Sequence, residues 1–330
     1  MASTLKDVAR LAGVSVKTVS NVVNGYPHVS ADVRRRVEAA VAELGYRPNA
    51  FARTLRTGRV GVLALVLPDT DLPYADDLTR EVVHAAGRAG YRVVVERGPE
   101  EEGSNSTRPM PVDGVLVGAP GETARALTAA GRPVVLIGGG SSDGSCDQVS
   151  VDVAGAAEDA TAHLLRTGRR RIAAIGAYPS GPGGVPRSGT AGYHRALRAA
   201  GVTPLPGHLL PARHDRRADG YRAGRDLFAG PDRPDAIFCL SDRLAIGAMR
   251  AAFDAGLRVP ADVAVIGVGD IEEGRYSRPT LSTVAVDTRF LAREAVARLT
   301  TRIGQPDTAA AEIIAPHTVL PRESTEVPAT

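Results

Sequence analysis

Tryptophan is absent from this 330-residue chain, aromatics make up only 4%, and lysine occurs only at Lys6 and Lys17 among 40 basic residues. Cysteine also occurs only twice, at Cys146 and Cys239. These two form no metal or redox spacing, so a reducing compartment without disulfides is expected. No apolar run reaches the ~18 residues of a membrane helix, and residues 1–6 lack the apolar core of a secretory signal. A cytoplasmic chain with no membrane partner is expected. The seven histidines are scattered without ligand spacing. The glycines at 138–140 form neither a Walker loop nor a dinucleotide fingerprint, and no G-x-S-x-G elbow occurs. No catalytic residue, metal or cofactor is assigned, and the chain is read as a non-enzyme.

What is present is ample apolar content, 43%, enough for two or three domains with real cores. The formal net charge of +3 conceals an asymmetry: residues 1–59 hold ten basic and four acidic side chains, and 60–330 hold 30 and 33. A basic N-terminal block on an acidic body is the pattern of a nucleic-acid binder. The arginine excess itself is read as compositional, so a lone arginine carries little functional weight.

Residues 4–25 read as two short helices joined by a tight turn. Thr4 caps the first, Asp7 favours its positive end, and Leu5, Val8, Ala9 and Ala12 recur at helical spacing. Gly13 permits the turn, Ser15 caps the second helix, and Val19, Val22 and Val23 form its apolar stripe. Ser30 caps a third helix over 31–44 whose Val33, Val37, Ala40, Val41 and Leu44 complete a small core. The run Arg34 to Arg36 reads as a solvated face. Residues 50–56 are too short for a stable isolated helix and read as a linker with conditional structure. From Val60 onward, apolar strand-like runs at 60–67, 91–96, 114–118, 134–137, 171–175, 236–240 and 263–268 alternate with helical segments at 76–89, 154–166, 192–200, 220–228 and 243–255. That alternation predicts an α/β doubly wound architecture. Gly/Pro-rich stretches at 98–111, 138–144 and 178–189 read as loops.

The stretch "TLKDVARLAGVSVKTVSNVVNG" at 4–25 closely resembles the helix-turn-helix of the LacI/GalR family of bacterial transcription regulators. "VSADVRRRVEAAVAELGYRPNAFARTLRTGRVGVLALVLP" at 29–68 is similar to that family's third helix, hinge and first effector-domain strand. The motifs "VSVDVAGAAEDATAHLL", "GYHRAL", "DAIFCLSDRLAIGAM", "LRVPADVAVIGVGD", "RPTLSTV" and "VLPRES" follow in the family's order. The resemblance implies a three-helix helix-turn-helix domain over 1–47, a hinge over 48–59 and a two-lobed, type I periplasmic-binding-protein-like body with parallel sheets over 60–330. Lobe 1 would take about 60–152 and 285–308, lobe 2 about 153–284 and 309–326. The chain would cross between them near 150–153, 283–287 and 308–312.

The implied function is that of a regulator, a repressor in the usual case, which binds a pseudo-palindromic DNA operator as a homodimer or higher oligomer and responds to a small-molecule effector. In a helix-turn-helix the second helix enters the major groove by its N-terminal residues. The exposed residues there are Ser15, Val16, Lys17, Thr18, Ser20 and Asn21. By the resemblance, Val16, Lys17 and Asn21 read bases: Lys17 can donate to guanine and Asn21 can pair with adenine. Thr4, Leu5, Thr18, Ser20, Asn24, His28, Val29 and Ser30 match positions that touch phosphate or orient the unit. Leu55 matches a minor-groove wedge, with Asn49 and Ala52 on the same face.

The effector end departs from its family. The usual clamping arginine is Gly189, with Arg187 two residues upstream; a frequent stacking aromatic falls at about Asp215; the pocket amide is Ser241, followed by Asp242; and one expected acidic residue is Gly269, leaving Asp270. Tyr74 is the candidate stacker. Arg213, Arg216, Arg217, Arg243 and Arg275 fall on segments near the cleft, so the effector candidates are a sugar or an anionic metabolite. Residues 97–111 lack the helical periodicity usual in the family. Two alternatives stay open: a regulator independent of any effector, and a cytosolic binding module or enzyme with a vestigial DNA-binding domain.

Overall fold

The computed structural model describes residues 4–23, 26, 28–46, 59–67, 74–97, 111–118, 121–138, 144–177, 188–212 and 214–326. The expectations for the hinge, for 98–110 and for Asn24, Asn49, Ala52, Leu55, Arg187 and Arg213 lie outside them. The chain divides into two units, Met1–Gly61 and Val62–Thr330.

The first unit folds from local signals. Helix α1 (Leu5–Ala12) starts with a capping box in which Thr4 Oγ1 accepts from the Asp7 N–H at 3.3 Å and the Asp7 carboxylate accepts from the Thr4 N–H at 3.0 Å. Gly13, at φ 63, ends the helix in the left-handed region. Helices α2 (Val16–Val23) and α3 (Ala31–Glu43) close over Val8, Ala9, Ala12, Val19, Val22, Val37, Ala40 and Tyr46. In the arginine run, Arg35 and Arg36 are exposed as expected, but Arg34 and Arg36 also bind backbone carbonyls. Arg36 donates to the Ala12 carbonyl at 2.7 and 3.2 Å and to that of Gly13 at 3.1 Å, while Arg34 donates to the Tyr26 carbonyl at 2.9 Å. Arg36 thereby neutralises the bare carbonyls at the end of α1 and fixes α3 against the turn.

The second unit alternates strand and helix in the order β1 (Val62–Leu67), α4 (Ala75–Arg88), β2 (Arg92–Arg97), β3 (Gly114–Val117), α5 (Gly121–Ala129), β4 (Val134–Gly138), β5 (Asp147–Val151), α6 (Val153–Arg166), β6 (Ile172–Ile175), α7 (Ser188–Ala199), β7 (Leu209–Leu210), α8 (Arg217–Ala229), β8 (Ala236–Cys239), α9 (Asp242–Asp254), β9 (Ala264–Val268), α10 (Glu272–Arg275), β10 (Ser282–Val286), α11 (Thr288–Gly304), β11 (Glu312–Ala315) and β12 (His317–Leu320). Among the described residues these strands form two six-stranded sheets, ordered β11-β5-β4-β3-β1-β2 and β12-β10-β9-β8-β6-β7. Apolar clusters cover both faces of each sheet, which is why the strands read as near-continuous apolar runs.

The chain passes between the lobes at Asp152, Asp287 and Pro316. The boundary expected at 309 is therefore corrected. Glu312–Ala315 pairs in parallel with β5 and belongs to the first lobe. β12 pairs antiparallel with β10, the exception to otherwise parallel pairing. The reason is directional: β10 runs toward the crossing at 287, whereas β12 starts from the crossing at 316 and runs back into the second lobe.

Helix pairs in the second lobe approach so closely that only glycine fits. A Cβ at Gly192 would lie 2.0 Å from the Ala154 carbonyl oxygen, and one at Gly247 2.0 Å from that of Arg217. By contrast, Gly87, on the exposed face of α4, has nothing within 4 Å of its would-be Cβ. Gly247→Ala is expected to destabilise the protein by about 1–3 kcal/mol through overpacking. Gly87→Ala is expected to stabilise it by roughly 0.5–1 kcal/mol through reduced freedom of the unfolded chain. Urea unfolding of both variants checks the pair of opposite signs.

Candidate nucleic-acid interface and ligand cleft

The helix-turn-helix presents its second helix by cap and stripe. Ser15 Oγ accepts from the Thr18 N–H at 3.1 Å and shares a 2.9 Å hydrogen bond with the Thr18 hydroxyl. The cap starts α2 so that Val19 and Val22 face the core, at 0% and 6% exposure, and Val16 stands 43% exposed. Ser15 and Lys17 are exposed beside Val16, and Thr18, Ser20 and Asn21 are half-buried along the same helix. The Lys17 ammonium and the Asn21 side-chain amide carry no partner among the described residues. Thr4, His28 and Ser30 are exposed and Leu5 and Val29 half-buried. Thr4 and Ser30 also serve as helix caps, so the hydroxyls expected at phosphate are already positioned by the fold.

The cleft residues of the second unit sit at the carboxyl ends of the strands, where doubly wound folds place their ligands. Three of the expected ligand contacts are instead buried. Tyr74 is 7% exposed in the core of the first lobe, its hydroxyl within 3.3 Å of where a Cβ on Gly138 would stand. Burial pushes its phenol up to about 12. It is not an open platform for a ring. Ser241, 1% exposed, caps α9 by accepting from the Leu244 N–H at 3.1 Å and donates to the Asp215 carboxylate. Asp242, also 1% exposed, accepts from the Thr283 hydroxyl at 2.7 Å and from the Ile271 N–H at 2.9 Å. Ser241 and Asp242 hold the wall of the cleft rather than face a ligand.

The two remaining acids are partly exposed and ion-paired. Asp270 stands in the left-handed region at φ 53. Its carboxylate takes Arg275 and Arg322, each at 2.6 Å, and its N–H donates to Thr283 Oγ1 at 3.2 Å. Asp215 lies 3.9 Å from Arg243, which also reaches Asp76 of the first lobe at 3.5 Å. Arg217 pairs with Glu273. Of the arginines that suggested an anionic ligand, Arg217, Arg243 and Arg275 are thus engaged by acids of the protein itself. Gly189, in place of the clamping arginine, is filled over by Leu240: a Cβ there would lie 2.9 Å from Leu240 Cδ2. Arg322, Thr283, Leu240 and Asp76 escaped the residue-by-residue reading. Arg322, Thr283 and Leu240 each carried a signal, lying within "VLPRES", "RPTLSTV" and "DAIFCLSDRLAIGAM", whereas Asp76 lay in none of the quoted motifs.

Comparison with known proteins follows this division. Residues 4–49 match the bacterial regulatory proteins of the lacI family, and residues 161–325 match the periplasmic binding protein-like domain. The ribose operon repressor of Escherichia coli (strain K12) is 32% identical over 314 residues, covering 92% of this chain and 94% of that protein. The lac repressor dimer bound to operator and the anti-inducer ONPF superposes with a TM-score of 0.83 at 27% identity, covering 99% and 100% of the two chains. The transcriptional regulator CelR in complex with cellobiose superposes with a TM-score of 0.69 at 31% identity, covering 98% and 99%.

Asp242 makes a testable contribution to stability. Burial raises its pKa from 3.8 to about 6 against the opposing hydrogen bonds from Thr283 and Ile271. The folded state therefore binds this proton more tightly than the unfolded one. The associated stability is present in full below about pH 4 and is lost as pH rises through about 6. Asp242→Asn removes this pH dependence. The stability of the wild type relative to the variant is expected to fall by about 2–3 kcal/mol between pH 4 and pH 7, read from urea unfolding of both proteins across that range.

Proposed function

The chain belongs to the lacI family of bacterial regulatory proteins, and we propose that it holds a pseudo-palindromic operator as a homodimer, reading bases with Val16, Lys17 and Asn21. It is a DNA-binding transcription repressor with an effector-binding body, as its relatives are. The observation that carries the base-reading assignment is the start of α2, where Ser15 caps the helix, Val16 stands exposed and Lys17 is unpaired among the described residues. A lysine there donates to guanine, an asparagine one turn on pairs with adenine, and an exposed valine meets a thymine methyl. Thr4, Leu5, Thr18, Ser20, Asn24, His28, Val29 and Ser30 orient the unit on phosphate. Leu55 is the minor-groove wedge, with Asn49 and Ala52 at helical spacing before it, and its insertion requires a second chain.

The effector is a neutral, hydroxyl-rich small molecule rather than an anion. The supporting observation is that Arg217, Arg243, Arg275 and Arg322 are each paired with a carboxylate of the protein. An anionic ligand would have to displace those acids. CelR, similar over nearly the whole chain, is seen with cellobiose. Ligand binding changes the closure of the lobes, and the affinity for operator changes with it because the two arrangements bind ligand differently. The second reading, a regulator without an effector, draws on Gly189 and the leucine that covers it. A single saturable stabiliser in a thermal-shift screen of sugars, nucleosides and organic anions refutes it.

Footprinting on the DNA upstream of its own and neighbouring genes is expected to show a protected inverted repeat. Lys17→Ala and Asn21→Ala should each weaken operator binding by about ten- to a hundredfold, the discrimination carried by one good base contact. Leu55→Gly should abolish the bend at the centre of the site. Wild-type affinity for that repeat in gel shift, retained in all three variants, overturns the assignment.

A further inference from the structure

We infer that Arg243 and Asp76 form a latch that holds the two lobes of the body together in the absence of ligand, an inference that rests on the effector-responsive reading above. Arg243 stands in the first turn of α9, where the exposed N–H groups favour an anion and disfavour a cation. A guanidinium in that place needs acids around it. One, Asp215, comes from its own lobe, with the carboxylate 3.9 Å away. The other, Asp76, comes from the first turn of α4 in the opposite lobe, at 3.5 Å. There the acid suits the positive helix end, which has no side-chain cap of its own. Two helix N-termini therefore face each other across the cleft, and the acid of one answers the misplaced cation of the other.

A second pair of charges acts in the same sense. Arg275, held chiefly by Asp270 in its own lobe, also feels the charge of Asp77, the neighbour of Asp76 on α4. Arg243 is only 20% exposed and Asp76 93% exposed. The arginine is thus fixed in the second lobe while the aspartate is free to leave, as a breakable contact requires. An ion pair with so exposed a member is weak, and the energy involved suits a switch that a small ligand must be able to throw. The three crossings at Asp152, Asp287 and Pro316 join the lobes covalently, so the latch needs only to bias an existing hinge.

The test uses full-length protein without DNA or ligand. Spin labels are attached at Ala89→Cys and Ala255→Cys, exposed positions at the ends of the two helices. The native cysteines are buried and do not compete for label. Labelled chain is diluted into excess unlabelled chain so that distances within one molecule dominate. In pulsed dipolar spectroscopy, Asp76→Asn and Arg243→Gln should each lower the ratio of short to long distances by about two- to fivefold. The double variant should do no more than either single one. High salt should act on the wild type in the same way and leave the variants unchanged. Unchanged distributions, or effects that multiply in the double variant, overturn the latch. The thermal-shift screen for a saturable ligand, run separately on the wild type, reports on the underlying effector-responsive reading, so a failure of one is distinguishable from a failure of the other.

Discussion

Two aspartates with the same backbone geometry, φ −73° and ψ 82°, carry the chain from a strand of one lobe directly into a helix of the other. Asp152 accepts from the Gly155 N–H at 2.7 Å and Asp287 from the Phe290 N–H at 2.8 Å, so each crossing residue is also a helix cap. The third crossing, Pro316, lies beside the second and accepts from the Asp287 N–H at 3.3 Å. A crossing of one residue allows no slack. The strand before it and the helix or strand after it must meet end to end, and the rest of the body follows from that. The strand ends are brought to a common cleft and β12 is forced antiparallel.

The polar groups near the cleft can be understood from this constraint. The second lobe's side of the wall is cross-linked from within that lobe. Asp242 ties α9 to β10 through Thr283 and to the turn after β9 through Ile271. Arg322, from the final segment of the chain, donates to the Leu281 carbonyl at 2.8 Å and grips Asp270 at 2.6 Å. Ser324 and Thr325 extend the same seam to Ser282, Val265 and His163. Burying a carboxylate such as Asp242 is unfavourable unless its acceptors are satisfied, and here each is used to fix a neighbouring element. Residues that a sequence reading assigns to the ligand are thus claimed by the wall that surrounds it.

How much was legible depended on how far apart the causes lay. The capping box of Thr4 and Asp7, the left-handed Gly13 and the Ser15 cap all act within three residues, and the helix-turn-helix was readable from them. The parallel strands β1, β3, β4, β6, β8 and β9 were readable because burial on both faces leaves uninterrupted apolar runs, whereas Asp147, Gln148 and Ser150 in β5 and Ser282 and Thr283 in β10 are buried polar residues that break the run and hide those strands. Tyr74 was not, because its burial depends on Gly138, which joins it only in the folded sheet. Arg36 looked like surface charge because the carbonyls it caps lie 23 and 24 residues earlier. The helix Thr288–Gly304 was missed because its buried Leu291, Ala292, Ala295, Val296 and Leu299 are diluted by four arginines and three threonines. The boundary near 309 was missed because Glu312–Ala315 is a short strand whose partner, β5, is far back in the chain.

The distribution of cations completes the argument. Arginine offers a planar fork that matches a carboxylate, whereas lysine is a compact charge on a flexible stem. In this chain the forks go to structure: Arg302 to Asp147, Arg322 and Arg275 to Asp270, Arg258 to Asp262, Arg36 to the end of α1. The two lysines both lie in the DNA-binding unit, without an acid partner among the described residues. A body rich in arginine can therefore remain acidic, its forks turned to its own carboxylates, while Lys6 and Lys17 both stand exposed in the first unit. The modest overall charge of +3 is the sum of a basic block over residues 1–59 and a slightly acidic remainder, and both lysines, Lys6 and Lys17, fall in the basic block.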